Sequence, residues 1–246
     1  MTKQLKVCWL SAGVSSFIAG YLVRDTVDEF IYIDIDDQHP DSMRFIKDCE
    51  VVLGKQIQIL KSGLGSVENA IRKYGYGRIN TPNGAPCTGM LKRKVRKQWE
   101  QEHHEYELTY VWGFDLEEKN RADRMLKSTP EYKHEFPLIN RYMTKQDAHG
   151  LLERLGIRRP MMYDMGYSNN NCIGCVRGGM GYWNKIRVDF PEVFESRAKL
   201  EREIGATCIK GVYLDELDPN RGRMEDEIMQ ECGIMCLLAE GEPNGT

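Results

Sequence analysis

The chain has 246 residues, 29% of them charged and 41% hydrophobic, with a formal net charge of −3. That is the balance of a globular protein with a substantial core, and it excludes electrostatic coating of nucleic acid by the whole surface. No apolar run approaches the ~20 residues of a membrane span.

The first residues lack signal-peptide architecture, since Lys3 and Lys6 flank only a short strand-like run. A cytoplasmic, membrane-free protein is therefore expected. Eight cysteines in such a compartment favour metal, cluster or redox chemistry over structural disulfides. One local basic candidate remains, formed by Lys92, Arg93, Lys94, Arg96 and Lys97.

In chain order, residues 5–10 predict a first strand and 15–24 a first helix. Between them lies Ser11-Ala12-Gly13-Val14-Ser15-Ser16. A strand that turns on small residues into a helix gathers unpaired N–H groups at the positive end of the helix dipole, which suits an anion. The same residues also suit an N-capped helix after a buried strand, with Ser15 or Ser16 as cap.

Phe30–Ile33 predicts a second strand that ends in Asp34, Asp36 and Asp37. These acids suit a ribose hydroxyl or a magnesium ion, or the capping of the helix that runs from Pro40 to Leu53. Gln56–Leu60 predicts a third strand, Ser66–Tyr74 a short helix in an irregular Gly-rich stretch, and Thr88 to about His103 a charged helix. Leu108–Trp112 predicts a fourth strand, leading through Gly113 into a helix over Glu117–Leu126. Phe136–Ile139 reads as a short buried segment. Thr144 or Asp147 caps a helix that ends near Gly156, a loop spans Tyr163–Gly181, and a last helix covers Glu192–Ile204.

Strands alternating with helices in this way predict an α/β fold with an open, mostly parallel sheet flanked by helices. The simplest division is a nucleotide-binding domain over 1–160 and a cysteine-bearing extension over 161–246 packed on it. Ligands in such sheets sit at the carboxyl ends of the strands, an edge that gathers the Ser11–Ser16 turn, Asp34 and Gly113.

Cys172-Ile173-Gly174-Cys175 is the most specific local signal. Two thiolates on a tight Gly-bearing turn suit one metal ion or two corners of an iron–sulfur cluster, with a redox dithiol as the competitor. Cys87, ahead of the Thr88 helix, is a candidate third ligand. Cys232 and Cys236 suit a fourth ligand, a mobile nucleophile, or neither. Cys8, Cys49 and Cys208 lie in apolar or helical contexts and read as buried fillers. Tyr182 and Trp183 follow Gly178, Gly179 and Gly181 and could shield a cluster.

The order of these residues resembles the phosphoadenosine phosphosulfate (PAPS) reductase family, within the PP-loop group of adenine-nucleotide enzymes. Leu10–Ser16 is similar to that group's Ser-Gly-Gly-x-Asp-Ser loop. Tyr32-Ile33-Asp34 with His39-Pro40-Asp41 resembles its second strand and acidic turn, and Pro86-Cys87 with Lys92 and Lys94 its cysteine-then-basic helix. Gly113 with Glu118 and Arg121, Phe136–Ile139 with Gln146-Asp147, and Gly166-Tyr167 before Cys172 resemble further family segments in the same order. Glu231-Cys232-Gly233-Ile234 resembles the terminal Glu-Cys-Gly-Ile-His motif. Ala12 and Ser15 stand where the loop has Gly and Asp, Asp115 stands at an expected Arg, and Met235 at the terminal His.

The resemblance implies an oxidoreductase that reduces a sulfonucleotide. Its phosphates would rest on Ser11–Ser16, Asp34, Gly113 and Arg121, a 4Fe–4S cluster on Cys87, Cys172 and Cys175, and Cys232 would be the nucleophile. It also implies a thioredoxin-like reductant as partner. The alternative is an ATP-dependent sulfurtransferase that thiolates a nucleobase in RNA or DNA, with a sulfur donor, a three-cysteine cluster and magnesium. A non-catalytic nucleotide-binding protein or a zinc-stabilised one is a further reading, and a homodimer is a candidate assembly.

Overall fold

A computed structural model describes residues 3–81, 84–226 and 232 of the chain. Its sheet holds β1 (Lys3–Leu10), β2 (Glu29–Asp34), β3 (Ile57–Lys61), β4 (Tyr106–Val111) and β5 (Lys133–Glu135). The spatial order is β3-β2-β1-β4-β5, and every neighbouring pair is parallel. Around it run α1 (Val14–Leu22), α2 (Asp41–Leu53), α3 (Val67–Tyr74), α4 (Lys94–Glu102), α5 (Lys119–Ser128), α6 (Pro137–Asn140), α7 (Lys145–Arg154), α8 (Met161–Asp164), α9 (Met180–Asp189) and α10 (Pro191–Ile204). The expected α/β fold with an open parallel sheet is the fold observed.

Side chains alternate across the strands and so build a core on each face. Val7, Trp9, Ile31, Ile33 and Tyr110 join one core, which also holds Trp99 of α4, Met125 of α5 and Trp183 of α9. Cys8, Leu10, Phe30, Tyr32 and Val111 join the other, covered by Phe17 and Ile18 of α1, Phe45 and Ile46 of α2 and Leu152 of α7. Each fully buried Ile or Phe stabilises by roughly 1.5–3 kcal/mol relative to exposure, so both faces hold the sheet. The residues after 160 contribute Trp183, Leu200 and Leu214 to the same core as Trp9 and Ile31.

The helix expected over Thr88–His103 divides into a π-helical turn, Thr88–Arg93, and α4. Such turns rotate side chains out of α register and often mark functional sites. This one carries Lys92 into the interior, where it is 7% exposed, and Arg96 is buried at 2% with its guanidinium on Glu100. The Lys92–Lys97 stretch is therefore not one basic surface, which corrects the expectation of a nucleic-acid patch there.

Thr144 and Asp147 cap α7 together: Thr144 Oγ1 accepts from Asp147 N at 3.2 Å, and Thr144 N donates to Asp147 Oδ2 at 2.8 Å. β5 and α9 were not anticipated. β5 is three polar residues paired only with β4 at the edge. The start of α9 is glycine-bearing, so its sequence pattern reads as loop. Among the described residues no helix is long and apolar enough to cross a membrane.

Candidate active site

β1 pairs with β2 on one side and β4 on the other, so the connections reverse direction between β1 and β4, and a crevice opens beyond their carboxyl ends. Ser11 follows β1 and Gly113 lies just beyond β4. A Cβ on Gly113 would lie 2.4 Å from Ser16 Cα and 2.6 Å from Ser16 N. Only a residue without a side chain lets that strand end approach the start of α1. Gly113→Ala is expected to cost at least ~2 kcal/mol, because the obstacle is backbone and cannot swing aside. An unchanged urea midpoint would contradict this.

The turn before α1 closes a ring of hydrogen bonds on itself. Gly13 N donates to Ser11 Oγ at 3.2 Å, the Ser11 and Ser16 hydroxyls meet at 2.9 Å, and Ser16 Oγ donates to the Gly13 carbonyl at 2.9 Å. Ser11 N also donates to Ser16 Oγ at 3.1 Å, and Val14 N lies 3.4 Å from Tyr163 Oη. Ser11 and Ser16 line the crevice. Ala12, Gly13, Val14 and Ser15 stand behind them, all but Gly13 at most 2% exposed. Ala12 holds φ at 58°, a left-handed conformation that costs a residue with a Cβ ~1–2 kcal/mol. This is the position where the resembling loop has Gly. Asn170 holds the strained turn, since its Nδ2 donates to the Ala12 carbonyl at 2.9 Å and to Ser42 Oγ at 3.0 Å.

The crevice, about 550 Å³ and open to solvent, has aromatic walls in Trp9, Trp112 and Phe114. Arg121 also lines it. This residue is 4% exposed, with Nη1 2.6 Å from Glu118 Oε1 and its guanidinium 4.7 Å from the Phe114 ring centre. Gln38 presents its amide, whose Oε1 accepts from Ile35 N at 3.1 Å and Tyr32 Oη at 2.5 Å. Those two donors fix the amide orientation and leave the NH₂ group as the face with donors to offer.

Two of the acids after β2 are otherwise engaged. Asp34 pairs with Lys61 at 2.6 Å and does not line the crevice. Asp37 binds Arg197 and accepts from Val67 N at 2.6 Å, capping α3. Asp115, at the position of an expected Arg, accepts from Glu117 N at 3.0 Å. Burial, and then the charge of Glu118, hold its carboxyl above the usual range. Glu118 is the carboxylate that lines the crevice among the described residues, so magnesium there would compete with Arg121 for it.

Behind the crevice lies a second, narrow space lined by Cys87, Cys172, Cys175 and Cys232, with Lys92 and Arg177 among apolar side chains such as Ile35 and Leu91. Cys87 precedes the π-helical turn. Gly174, at φ 66°, bends the Cys172–Cys175 turn, and the Tyr182 hydroxyl bridges it, accepting from Cys175 N at 2.9 Å and donating to the Cys172 carbonyl at 3.2 Å. Burial pushes the Cys87 thiol up to about 12 and Cys175 to about 11, and raises Cys172 well above its ordinary value.

Cys232 and Lys92 line both spaces and so form their shared wall. Lys92 Nζ donates to the Cys232 carbonyl, and Cys232 N donates to Asn171 Oδ1 at 2.9 Å. Cys8, Cys49 and Cys208 are buried elsewhere, at most 2% exposed, as expected of fillers. Cys236 lies outside the described residues, as do Glu231 and Gly233–Met235.

Among the described residues no three His, Cys, Asp or Glu side chains converge as a single metal ion requires. A lone zinc draws its sulfurs to ~2.3 Å from one point, whereas an iron–sulfur cluster holds thiolates around a larger body. Four thiols line this apolar space together with two cations that would offset thiolate charge, a donor set of the kind an iron–sulfur cluster takes.

Sequence reasoning had named Cys87, Cys172, Cys175, Ser11, Ser16, Gly113 and Arg121, and the fold brings these to adjoining spaces. It missed Trp9, Gln38, Trp112, Phe114 and Arg197, and the anchoring roles of Asn170 and Asn171. The run Asn169–Asn171 directly before Cys172 was the one signal available for the last two. No protein-family model matches the chain, and a search of curated proteins finds no match.

Proposed function

We propose that the protein is a sulfonucleotide reductase of the PAPS reductase type. It would bind an adenine nucleotide in the crevice and an iron–sulfur cluster on Cys87, Cys172 and Cys175. The observation that carries this reading is the shared wall, where a thiol, Cys232, and an ammonium, Lys92, adjoin both the crevice and the cysteine-lined space.

The aromatic walls suit a purine ring, and Ser11 and Ser16 offer hydroxyls to its phosphates. Arg121 and Lys92 place positive charge where a transferring sulfuryl group carries negative charge. The Cys232 thiolate attacks the sulfuryl sulfur; an S–S bond forms as the S–O bond to the nucleotide phosphate breaks, and the nucleotide leaves as its phosphate anion. An external dithiol then attacks the cysteine sulfur, is oxidised to its disulfide, and releases sulfite with the electron pair. The cluster, when bound, would hold Cys87, Cys172 and Cys175 rigidly beside the attacking sulfur.

Anaerobic protein given PAPS or its 3′-dephospho analogue and reduced thioredoxin is expected to release one sulfite per nucleotide consumed. ATP cleavage to AMP and diphosphate dependent on RNA or DNA, without sulfite, would replace this reading by nucleobase thiolation. Arg121→Gln is expected to lower kcat/KM about 10²–10³-fold, as removal of a charged oxyanion donor does. Nucleotide titration and steady-state rates check this, and unchanged values would remove Arg121 from the site.

A further inference from the structure

We infer that in the nucleotide-free protein Cys232 supplies the fourth thiolate of the cluster, as an exchangeable ligand released toward the crevice when a sulfonucleotide enters. The inference rests on the cluster reading given above and adds a second role to the sulfur which that reading makes the nucleophile.

Two observations carry it. First, Cys232 lines the same space as Cys87, Cys172 and Cys175, whereas Cys8, Cys49 and Cys208 do not. Second, its backbone is pinned from both sides by the segments that carry those cysteines. Asn171 immediately precedes Cys172 and takes the Cys232 N–H, and Lys92 lies in the turn that Cys87 opens and takes the Cys232 carbonyl. A residue held only as a crevice wall would not need anchors from both ligand-bearing segments.

Four thiolates are the complement of a 4Fe–4S cluster, and Lys92 and Arg177 in the same wall offset their charge. Exchange needs no redox partner. Release of Cys232 from a cluster held there would leave both bonding electrons on its sulfur, as a thiolate already at the crevice.

The test compares anaerobically purified wild type with Cys232→Ala, Cys236→Ala and Cys172→Ala, reading iron and sulfide per chain, visible absorption and electron paramagnetic resonance, with circular dichroism to confirm folding. Wild type is expected to hold about four irons, and Cys232→Ala about three with the signal of an oxidised three-iron cluster. Cys236→Ala should match wild type, and Cys172→Ala should hold little iron. Adding PAPS to wild type without reductant should move its absorption toward that of Cys232→Ala. Wild-type iron and spectrum in Cys232→Ala, or the three-iron signal in Cys236→Ala instead, would overturn the assignment. A wild-type spectrum unaltered by PAPS would overturn the exchange. Wild-type protein with zinc or no iron would overturn the cluster reading itself.

Discussion

Cys232→Ser is expected to release no measurable sulfite, a loss of at least ~10⁴-fold in turnover, while binding nucleotide within about twofold of wild type. The magnitude follows from removing a covalent nucleophile, since a serine hydroxyl lacks both the acidity and the softness of a thiolate. Binding should survive because the phosphate contacts proposed above fall to Ser11 and Ser16, which line the crevice independently of the Cys232 side chain. Equal weakening of binding and turnover would instead make Cys232 a wall residue whose loss reshapes the crevice. Titration with adenosine 3′,5′-bisphosphate alongside the sulfite assay separates these outcomes.

Arg197→Met is expected to destabilise the fold by about 3–5 kcal/mol, the cost of stripping one partner from a buried ion pair. Arg197 is 2% exposed; its guanidinium binds Asp37, reaches Glu68 Oε1 at 2.7 Å and lies 3.4 Å from the Gly174 carbonyl. Asp37 in turn accepts the Ile173 N–H on its backbone carbonyl at 2.8 Å. One side chain on α10 therefore ties the loop after β2, the start of α3 and the Cys172–Cys175 turn together. Without it Asp37 stays partly buried and unneutralised, Glu68 keeps the Arg72 cation at 3.0 Å, and the turn loses its brace. Adding Asp37→Asn and Glu68→Gln should recover much of the loss, because neutral partners tolerate burial without the arginine. Urea unfolding measures both steps, and a loss under ~1 kcal/mol for Arg197→Met would show that the triad is not a brace. Iron content should fall with Arg197→Met even in protein that remains folded.

The legible parts of this molecule were those with local causes. β1, β2 and β4 announce themselves as short apolar runs because both faces of a parallel sheet are buried. Gly113 was legible as the residue after a strand, and Cys172–Cys175 through its own spacing. What escaped reading depends on contacts distant in sequence. Asp34 looked like a ligand to ribose or magnesium but meets Lys61 across the β2–β3 pair, and Asp37 meets Arg197, 160 residues away. Lys92 looked like one member of a charged surface stretch. The π-helical turn, which no periodicity announces, buries it between the two spaces. Trp9 and Trp112 read only as strand residues; they belong to the core, and their positions near the carboxyl ends of β1 and β4 also make them crevice walls.

The departures at Ala12, Ser15 and Asp115 have separate accounts. Ala12 adopts the left-handed turn of a glycine at a cost that the Asn170 bond helps to offset. Asp115 is a buried cap that accepts from Glu117 N and does not line the crevice. Ser15 is 2% exposed behind the ring of serine hydroxyls, and nothing in the structure explains its replacement of an acid.

The most direct test of sulfonucleotide reduction is a single turnover without dithiol. Anaerobic wild-type protein is mixed with stoichiometric PAPS, quenched in acid and digested, and the peptide bearing Cys232 is weighed. The account predicts that this peptide gains the mass of one sulfonate group as one equivalent of adenosine 3′,5′-bisphosphate appears, and that reduced thioredoxin then removes it as sulfite. An unmodified Cys232 peptide accompanied by nucleotide release, or a sulfonate on another cysteine, would contradict it.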